Sequence, residues 1–349
     1  MQNGNLPAKS GRIEYIDAMR GFTMLLVVYC HVTCMTFQDG QLVMDFPQRW
    51  IFNNLFVQFR MPLFFLVSGF VMYKASRMWN FRETLEFFKK KIPVQLIFPF
   101  ICMCIYLGIS HVDTVQGALL FSIKSGYWFT WVLLEFYVLY VALQQLHLKG
   151  LLGDAIQVAV GVAMYFYLQN QAIVDPDFAH CRGGLAGALS LPMWKYFMFF
   201  IFGTQIRKHF QQFEQWLDTN VLIILCLATF ISTNIFDMPQ LLTGALSSMS
   251  GVILILAFFR RYQDNFTHEK RVGRILQFVG RRTLDVYLLH YWFIVGNDAT
   301  YRQYINGNPL IELICSLAIS ALIICLSLTV SAFLRLSPFI AHHFFGAKK

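Results

Sequence analysis

The 349-residue sequence has few charged residues. Asp, Glu, Lys and Arg make up 13% of the chain, whereas soluble domains carry about 25%. Hydrophobic residues make up 57% and the mean hydropathy is +0.52. This composition excludes a soluble globular domain, intrinsic disorder, a coiled coil and a disulfide-stapled secreted scaffold. It indicates a polytopic membrane protein.

The sequence also lacks a linker, a low-complexity tract, a convincing internal repeat and a second soluble domain. We therefore predict a single membrane-embedded domain over residues 1–349, with segments 1–15 and 336–349 outside the membrane. The predicted fold class is all-α, a transmembrane bundle of about ten helices at about 20 residues per span. The apolar runs fall at residues 16–37, 50–74, 92–110, 127–147, 151–168, 187–206, 216–235, 241–259, 275–295 and 309–334.

Acidic residues are scarcer than basic ones, 19 against 28, which gives a formal net charge of +9. In a soluble protein this excess would suggest nucleic acid, but in a membrane protein cytoplasmic loops collect Lys and Arg. With ten spans, 22 of the 28 basic residues fall on the same side as the N-terminus. The opposite loops hold only Arg49, Lys124, Arg182 and Arg302. We therefore predict that both termini are cytoplasmic and that the chain binds no nucleic acid.

The cytoplasmic loop at 75–91 alternates aromatic and charged residues at helical spacing. This pattern predicts an amphipathic helix on the membrane surface. Trp79, Phe81, Leu85 and Phe88 would face lipid. The helix would serve either as an anchor or as a part of the active site.

Ionisable residues within the apolar runs are expensive unless they face a cavity or a partner. They come from several different spans, which favours one polar cavity. The alternative is a set of structural pairs, such as Glu135 with Arg60. The residues concerned are His31, Arg60, Glu135, Lys195, Asp285 and His290.

The first span gives the sharpest geometry. Arg20 and His31 are eleven residues apart, which is about three helical turns, so they share one face about 16 Å apart along the axis. Asp17 lies three residues before Arg20 and is placed to pair with it or orient it. A cation at the cytoplasmic mouth is thus aligned with an imidazole deep in the membrane.

The ninth span repeats this layout. Arg281 and Arg282 lie at its cytoplasmic edge, and Tyr287 and His290 share a face deeper in the membrane. The arrangement suits an anionic cytosolic molecule whose reactive arm reaches into the membrane. It suits a transported anion equally well.

Several segments, taken together and in order, resemble the acyltransferase 3 family of bacterial integral membrane proteins. The resemblance covers nearly the whole chain and includes an Arg and a His separated by ten residues in the first helix. The segments are RIEYIDAMRGFTMLLVVYCHV, FRMPLFFLVSGFVMY, FFKKKIPVQLIFPF, YWFTWVLLEFYVLY, FFIFGTQIRKHF and VGRRTLDVYLLHYWF.

The chain departs from the family pattern at two places. The family often has an Arg after the second-helix Gly-Phe, where this chain has Ala75, with Lys74 or Arg77 as replacements. Many members carry two carboxylates in the fourth helix, where this chain has only Glu135.

The resemblance implies an enzyme of the bacterial inner membrane that moves an acyl group, usually acetyl. The donor would be cytoplasmic acetyl-CoA or another acyl-CoA, and the acceptor a hydroxyl of an envelope glycan or a lipid-linked sugar. His31, assisted by Arg20 and Asp17, would act as general base or accept the acyl group covalently. The donor phosphates would be held by Arg20, Arg281, Arg282, Lys89, Lys90 and Lys91.

The remaining cavity candidates would stabilise the oxyanion or contact the acceptor. They are Arg60, Ser68, Trp128, Glu135, Tyr137, Tyr287 and His290. No metal is expected, because Asp175, Asp177, His180 and Cys181 do not have the spacing of a known ligand set.

Two other functions remain open on the sequence. A permease for an anionic or sugar-like solute would use the same cavity without chemistry, although such proteins more often show repeats and broken helices at matching positions. A non-catalytic scaffold or sensor would leave Arg20 and His31 unexplained.

Overall fold

The computed structural model describes residues 13–37, 51–77, 79–146, 150–236, 239–294 and 308–346. The basic residues Lys9, Arg12, Arg49, Lys149, Arg302, Lys348 and Lys349, which entered the charge count, lie outside these ranges. Within them the fold is all-helical, as predicted, and the only β pairing is one isolated antiparallel bridge between Phe121 and Arg182.

The described residues form sixteen α-helices joined by short 3-10 and π turns. In chain order they are α1 (Glu14–Val32), α2 (Ile51–Met72), α3 (Phe81–Ile92), α4 (Phe98–Ser110), α5 (Val115–Leu120), α6 (Trp128–Gln145), α7 (Gly150–Val174), α8 (Gly184–Ala188), α9 (Phe197–Lys208), α10 (Phe210–Leu217), α11 (Asn220–Ile235), α12 (Gln240–Arg261), α13 (Arg271–Arg281), α14 (Thr283–Leu289), α15 (Pro309–Leu334) and α16 (Pro338–His343).

Six helical runs in the described residues are long and apolar enough to cross a membrane, and a seventh is added if α10 and α11, bent by 73°, form one span. The six correspond to predicted spans. They are Glu14–Met35, Leu55–Met72, Phe81–Ser110, Gly150–Val174, Gln240–Arg261 and Leu310–Leu334.

The predicted count of ten spans is not confirmed, because the described residues contain only six or seven helical runs that are both long and apolar enough to cross a membrane. Residues 127–147 form only α6, and residues 216–235 belong to the bent pair. Residues 187–206 are divided by a 3-10 turn at Leu191–Tyr196, and residues 275–295 are broken at Arg282. Hydropathy averages over such a break, so a broken helix and a continuous one give the same sequence signal.

The predicted surface helix is continuous with the next span. It begins after Asn80, whose side chain caps the backbone N–H of Glu83 at 2.8 Å. A π turn at Pro93–Ile97 then joins α3 to α4 in one run of 30 residues.

The lipid-facing side of α3 is only partly as predicted. Phe81 and Leu85 are exposed, whereas Trp79 is 6% exposed and packs edge-on against Phe87 and Tyr140. The prediction that Trp79 faces lipid is therefore wrong. Trp79 precedes the helix, so helical spacing does not fix its direction.

Glycines allow the helices around the site to pack in backbone contact. A Cβ on Gly21 of α1 would overlap the carbonyl of Leu276 in α13, and one on Gly69 of α2 would overlap the carbonyl of Phe200 in α9. Small residues at helix crossings are the usual way in which membrane helices approach closely. These contacts hold α1 against its neighbouring helices. We call the face of α1 that carries Arg20 and His31 the α1 stripe.

A buried ion pair joins α14 to α15. Asp285, 2% exposed, accepts hydrogen bonds from Arg335 at 2.9 and 2.8 Å and a third from Ser331. Since α14 leads directly into the turn that carries His290, this pair sets the position of the site from the side of α15.

Candidate functional site

A cavity of about 430 Å³ opens between α1, α2, α6 and the segments before α5 and α8. This volume is in the range of small-molecule sites. One part of its wall is formed by His31, Arg60 and Tyr291, and another part by four residues that we call the rim, namely Asp113, Phe121, His180 and Arg182. Of the six ionisable residues predicted to share one cavity, His31 and Arg60 line this one, whereas Glu135, Lys195, Asp285 and His290 do not.

His31 contacts the hydroxyl of Tyr291. The Tyr291 Oη atom lies 3.0 Å from Nε2 and 3.4 Å from Nδ1 of His31, and 3.4 Å from the carbonyl oxygen of Gly126. The hydroxyl can therefore accept from His31 while it donates to Gly126, or donate to His31 itself.

The His290 ring packs against that of His31, but His290 does not line the cavity. Its Nδ1 atom is 2.7 Å from the carbonyl oxygen of Tyr287 and 3.0 Å from that of Val286, so it carries the proton and donates to the backbone. The ring is fully buried at 5.3 Å from that of His31, and Nε2 has no hydrogen-bond partner in the described part of the chain.

The turn before α6 holds Tyr287 and Tyr291 in place. Lys124, Ser125 and Gly126 all have positive φ, at 47°, 48° and 100°. This backbone turns the Gly126 carbonyl towards Tyr287, whose hydroxyl donates to it at 3.0 Å and accepts from the Phe129 N–H at 3.0 Å. A side chain at position 126 would overlap the Tyr291 ring, so only glycine fits there.

The oxyanion candidates divide into two groups. Arg60 is buried, lines the cavity and is an electrostatic neighbour of His31 and Cys30. Tyr287 also lines the cavity. Ser68 does not: its hydroxyl donates to the Phe64 carbonyl of its own helix at 2.8 Å.

The α6 candidates also separate. Trp128 lines the cavity and stacks on Tyr196 with ring centroids 5.9 Å apart. Glu135 does not line it, and accepts a hydrogen bond of 2.7 Å from Trp194. The alternative pairing of Glu135 with Arg60 is not found in the residues described.

Arg20 lies at the other end of the α1 stripe. It donates to the Thr283 hydroxyl at 3.1 Å and lies 3.8 Å from the buried Asp17 carboxylate. The predicted pairing of Asp17 with Arg20 is therefore present. Because α1 is unbroken from residue 14 to residue 32, Arg20 and His31 share one face as predicted.

Other cations gather near Arg20. The electrostatic neighbours of Lys91 are Arg77, Arg20 and Lys74, and its Nζ atom lies 5.4 Å from the ring centre of Tyr137. Tyr137 thus belongs to this basic end of α1 and not to the wall of the cavity. We call Arg20, Lys74, Arg77 and Lys91 the basic cluster.

The other predicted donor-binding residues make no contact with the basic cluster in the described part of the chain. They are Lys89, Lys90, Arg281 and Arg282. Lys89 and Lys90 are exposed on α3. Arg281 is exposed, and the guanidinium of Arg282 lies 4.9 Å over the Phe278 ring. Both arginines are nevertheless close in sequence to Thr283, the partner of Arg20.

Sequence reasoning missed Tyr291, Tyr196 and the rim. Tyr291 directly follows His290, but it is carried by a 3-10 turn at residues 290–293, where helical spacing does not apply. The rim comes from two loop segments 57 or more residues apart, which only the fold brings together. Loop residues show no periodic pattern, so the proximity of the two segments cannot be predicted from the sequence.

No group of three or more His, Cys, Asp or Glu side chains in the described ranges is arranged to hold a metal ion.

A family model described as an acyltransferase domain, that of the acyltransferase 3 family, matches residues 13–330. The match covers both the α1 stripe and the cavity. Comparison with curated proteins and with solved structures gives no match.

Proposed function

The chain belongs to this family of membrane acyltransferases, and we propose that it transfers an acetyl group from acetyl-CoA to a hydroxyl of a cell-envelope glycan or lipid-linked sugar. The observation that carries the proposal is the α1 stripe. It joins the basic cluster at Arg20 to a histidine that lines the cavity about 16 Å away.

The basic cluster at one end of the α1 stripe suits the phosphates of the donor, and His31 at the other end suits its thioester. The basic cluster offers guanidinium and ammonium groups to the phosphates of coenzyme A. The thioester arm would then run along α1 to the cavity. In this arrangement the acyl carbon would lie beside His31.

His31 acts as the general base in this proposal. It takes the proton of the acceptor hydroxyl while the oxygen attacks the thioester carbon, and a C–O bond forms. The C–S bond then breaks, and His31 returns the proton to the departing thiolate, so that charge and atoms balance. Arg60 supplies hydrogen bonds to the tetrahedral oxyanion.

An acyl-histidine intermediate is the alternative path through the same residue. Rapid quenching of the enzyme with labelled acetyl-CoA in the absence of acceptor distinguishes the two. Direct transfer predicts no label on the protein, and a stoichiometric acetyl-His31 adduct would contradict it.

The sidedness of the reaction follows from the charge distribution. We infer ten crossings, with both termini in the cytoplasm of a bacterial inner membrane. The basic cluster then faces the cytoplasm and His31 lies towards the outer side. Donor enters from the cytoplasm, and acceptor reaches the cavity from the outer side.

The proposal is tested with purified protein in sealed proteoliposomes of known orientation. Acetyl-CoA on the cytoplasmic face and methyl hexosides on the outer face should give thiol release together with an acetylated hexoside. Thiol release without acetylated product, or no thiol release, would contradict acyl transfer. Full activity with both substrates on the cytoplasmic face would contradict only the sidedness.

A further inference from the structure

Two loop segments that line the cavity are joined by backbone hydrogen bonds. The isolated bridge between Phe121 and Arg182 is formed by Ser122 N–H to Cys181 O at 3.0 Å and Gly183 N–H to Leu120 O at 2.9 Å. The bridge therefore holds the backbones of Phe121 and Arg182 side by side.

Lys124 adds a second attachment between the same segments. Its buried ammonium donates to the carbonyls of Gly187 at 2.6 Å, Ala188 at 3.0 Å and Phe121 at 3.2 Å. Burial lowers the pKa of Lys124 to about 8, so the side chain is still a cation at neutral pH. It ties the segment before α6 to the C-terminal end of α8.

Arg182 is held by two contacts and remains open to a ligand. Its guanidinium lies 4.0 Å over the Phe121 ring and donates to Asp113 at 2.9 Å. The Arg182 side chain is nevertheless 60% exposed. Four of its five N–H groups are not used by Asp113 in this single bond, and a planar guanidinium presents them in a fixed fork.

Asp113 is the acceptor that complements this donor. Its second oxygen accepts from the Thr114 N–H at 2.9 Å, which fixes the carboxylate in its orientation. A carboxylate has about four lone-pair sites, so it can still accept from ligand hydroxyls. The pair carries no net charge, and an anionic ligand would meet the Asp113 carboxylate.

The wall of the same cavity is also aromatic. Phe64, Trp128, Phe129 and Tyr196 line it, with Trp128 and Tyr196 stacked at an interplanar angle of 24°. A ligand that fits must present apolar ring faces to these side chains and hydroxyl groups to Asp113 and Arg182. A neutral sugar ring has both.

We propose that the rim is the acceptor subsite, in which Asp113 and Arg182 bind adjacent hydroxyl groups of a neutral sugar while another hydroxyl of the same molecule faces His31. This inference rests on the proposed function, because it gives the acceptor of that reaction a binding site and a charge. It makes Arg182 and Asp113 specificity-determining residues.

Binding and turnover are measured separately to test it. Saturation-transfer NMR on detergent-purified protein reports the binding of methyl hexosides and of the matched methyl uronides, which differ by one carboxylate. Acetyl transfer to the same compounds is followed in parallel. The variants are Asp113→Asn and Arg182→Gln, with Asp177→Asn as a control, since Asp177 is exposed on the same segment and does not line the cavity.

The wild-type protein should bind at least one neutral hexoside more tightly than its uronide. Each rim variant should weaken that binding about 10-fold or more, as expected for loss of a hydrogen bond to a charged group, and the control should not. Acetyl-CoA hydrolysis without acceptor should be unchanged in the Asp177→Asn control.

Absence of hexoside binding in the wild type, preference for uronides, or equal binding in the rim variants would each overturn the rim proposal. Hexoside binding that depends on the rim in a protein without acetyl transfer would instead support the rim and contradict the proposed function. Acetyl transfer that does not depend on the rim would support the proposed function and contradict the rim proposal.

Discussion

The hydroxyl of Tyr291 lies 3.0 Å from Nε2 of His31. The contact joins α1 to the turn after α14, and Gly126 on a third element lies 3.4 Å from the same hydroxyl. A general base is effective only when its ring is held at the reacting atom. Tyr291 is therefore a positioning residue for His31, and this role can be separated from the role of the imidazole itself.

Replacing Tyr291 by Phe removes this contact and keeps the ring packing. We expect kcat to fall about 10-fold, the equivalent of one hydrogen bond of ~1.4 kcal/mol. The KM for acetyl-CoA should stay the same, because the basic cluster is untouched. Steady-state kinetics on purified Tyr291→Phe checks this, with Tyr140→Phe, which lies outside the cavity, as the matched control. An unchanged kcat would show that Tyr291 does not position His31.

Arg20→Ala should weaken donor binding and leave the catalytic step intact. Loss of one charge-assisted hydrogen bond to a phosphate is expected to raise the Kd for acetyl-CoA about 10-fold or more. Arg20→Lys should recover part of the affinity if the contact is a point charge. Calorimetric titration gives the Kd, and the exposed Arg82→Ala on α3 serves as control. Equal affinity for acetyl-CoA in the wild type and in Arg20→Ala would show that Arg20 does not bind the donor.

The helical class and the α1 stripe were predictable because both depend on local periodicity. Arg20 and His31 lie on an unbroken helix, so eleven residues translate directly into three turns. The number of crossings was not predictable in the same way. The breaks at Ser190 and Arg282 interrupt a helix without changing its mean hydropathy.

The site was predictable only where its residues lie on such helices. His31, Arg60, Trp128 and Tyr287 were assigned to the cavity and do line it. Glu135 and Ser68 were also assigned to the cavity, but hydrogen bonds with Trp194 and with the Phe64 carbonyl occupy them instead. The rim, like Tyr291, depends on loop and turn geometry that no periodic pattern encodes.

Gly69→Ala should destabilise the bundle. The added Cβ would overlap the Phe200 carbonyl, so α2 and α9 would have to move apart. We expect a loss of about 1–3 kcal/mol, the usual effect of overpacking. Gly108→Ala on α4, where nothing lies within 4 Å of the new Cβ, should be neutral or slightly stabilising. Thermal unfolding in detergent compares the two, and similar midpoints would contradict the close crossing.

Asp285→Asn should also destabilise the fold, through the pair that joins α14 to α15. It leaves the Arg335 guanidinium without its buried counter-charge, which typically costs about 3–5 kcal/mol. Glu86→Gln in the exposed pair with Arg82 should cost less than about 1 kcal/mol. Unfolding midpoints of the two variants provide the measurement. If the unfolding midpoint falls no more for Asp285→Asn than for Glu86→Gln, the buried pair does not hold α14 in place.

The central claim is that His31 carries out acyl transfer in the cavity, and the most direct measurement is the turnover of acetyl-CoA with methyl hexosides by purified His31→Ala. Its kcat should fall about 10²–10⁴-fold, the usual contribution of a general base. The Kd for acetyl-CoA should match the wild type, as should the kcat of Thr23→Ala, a second α1 variant outside the cavity. A His31→Ala protein that turns over within a few-fold of the wild type would contradict the account.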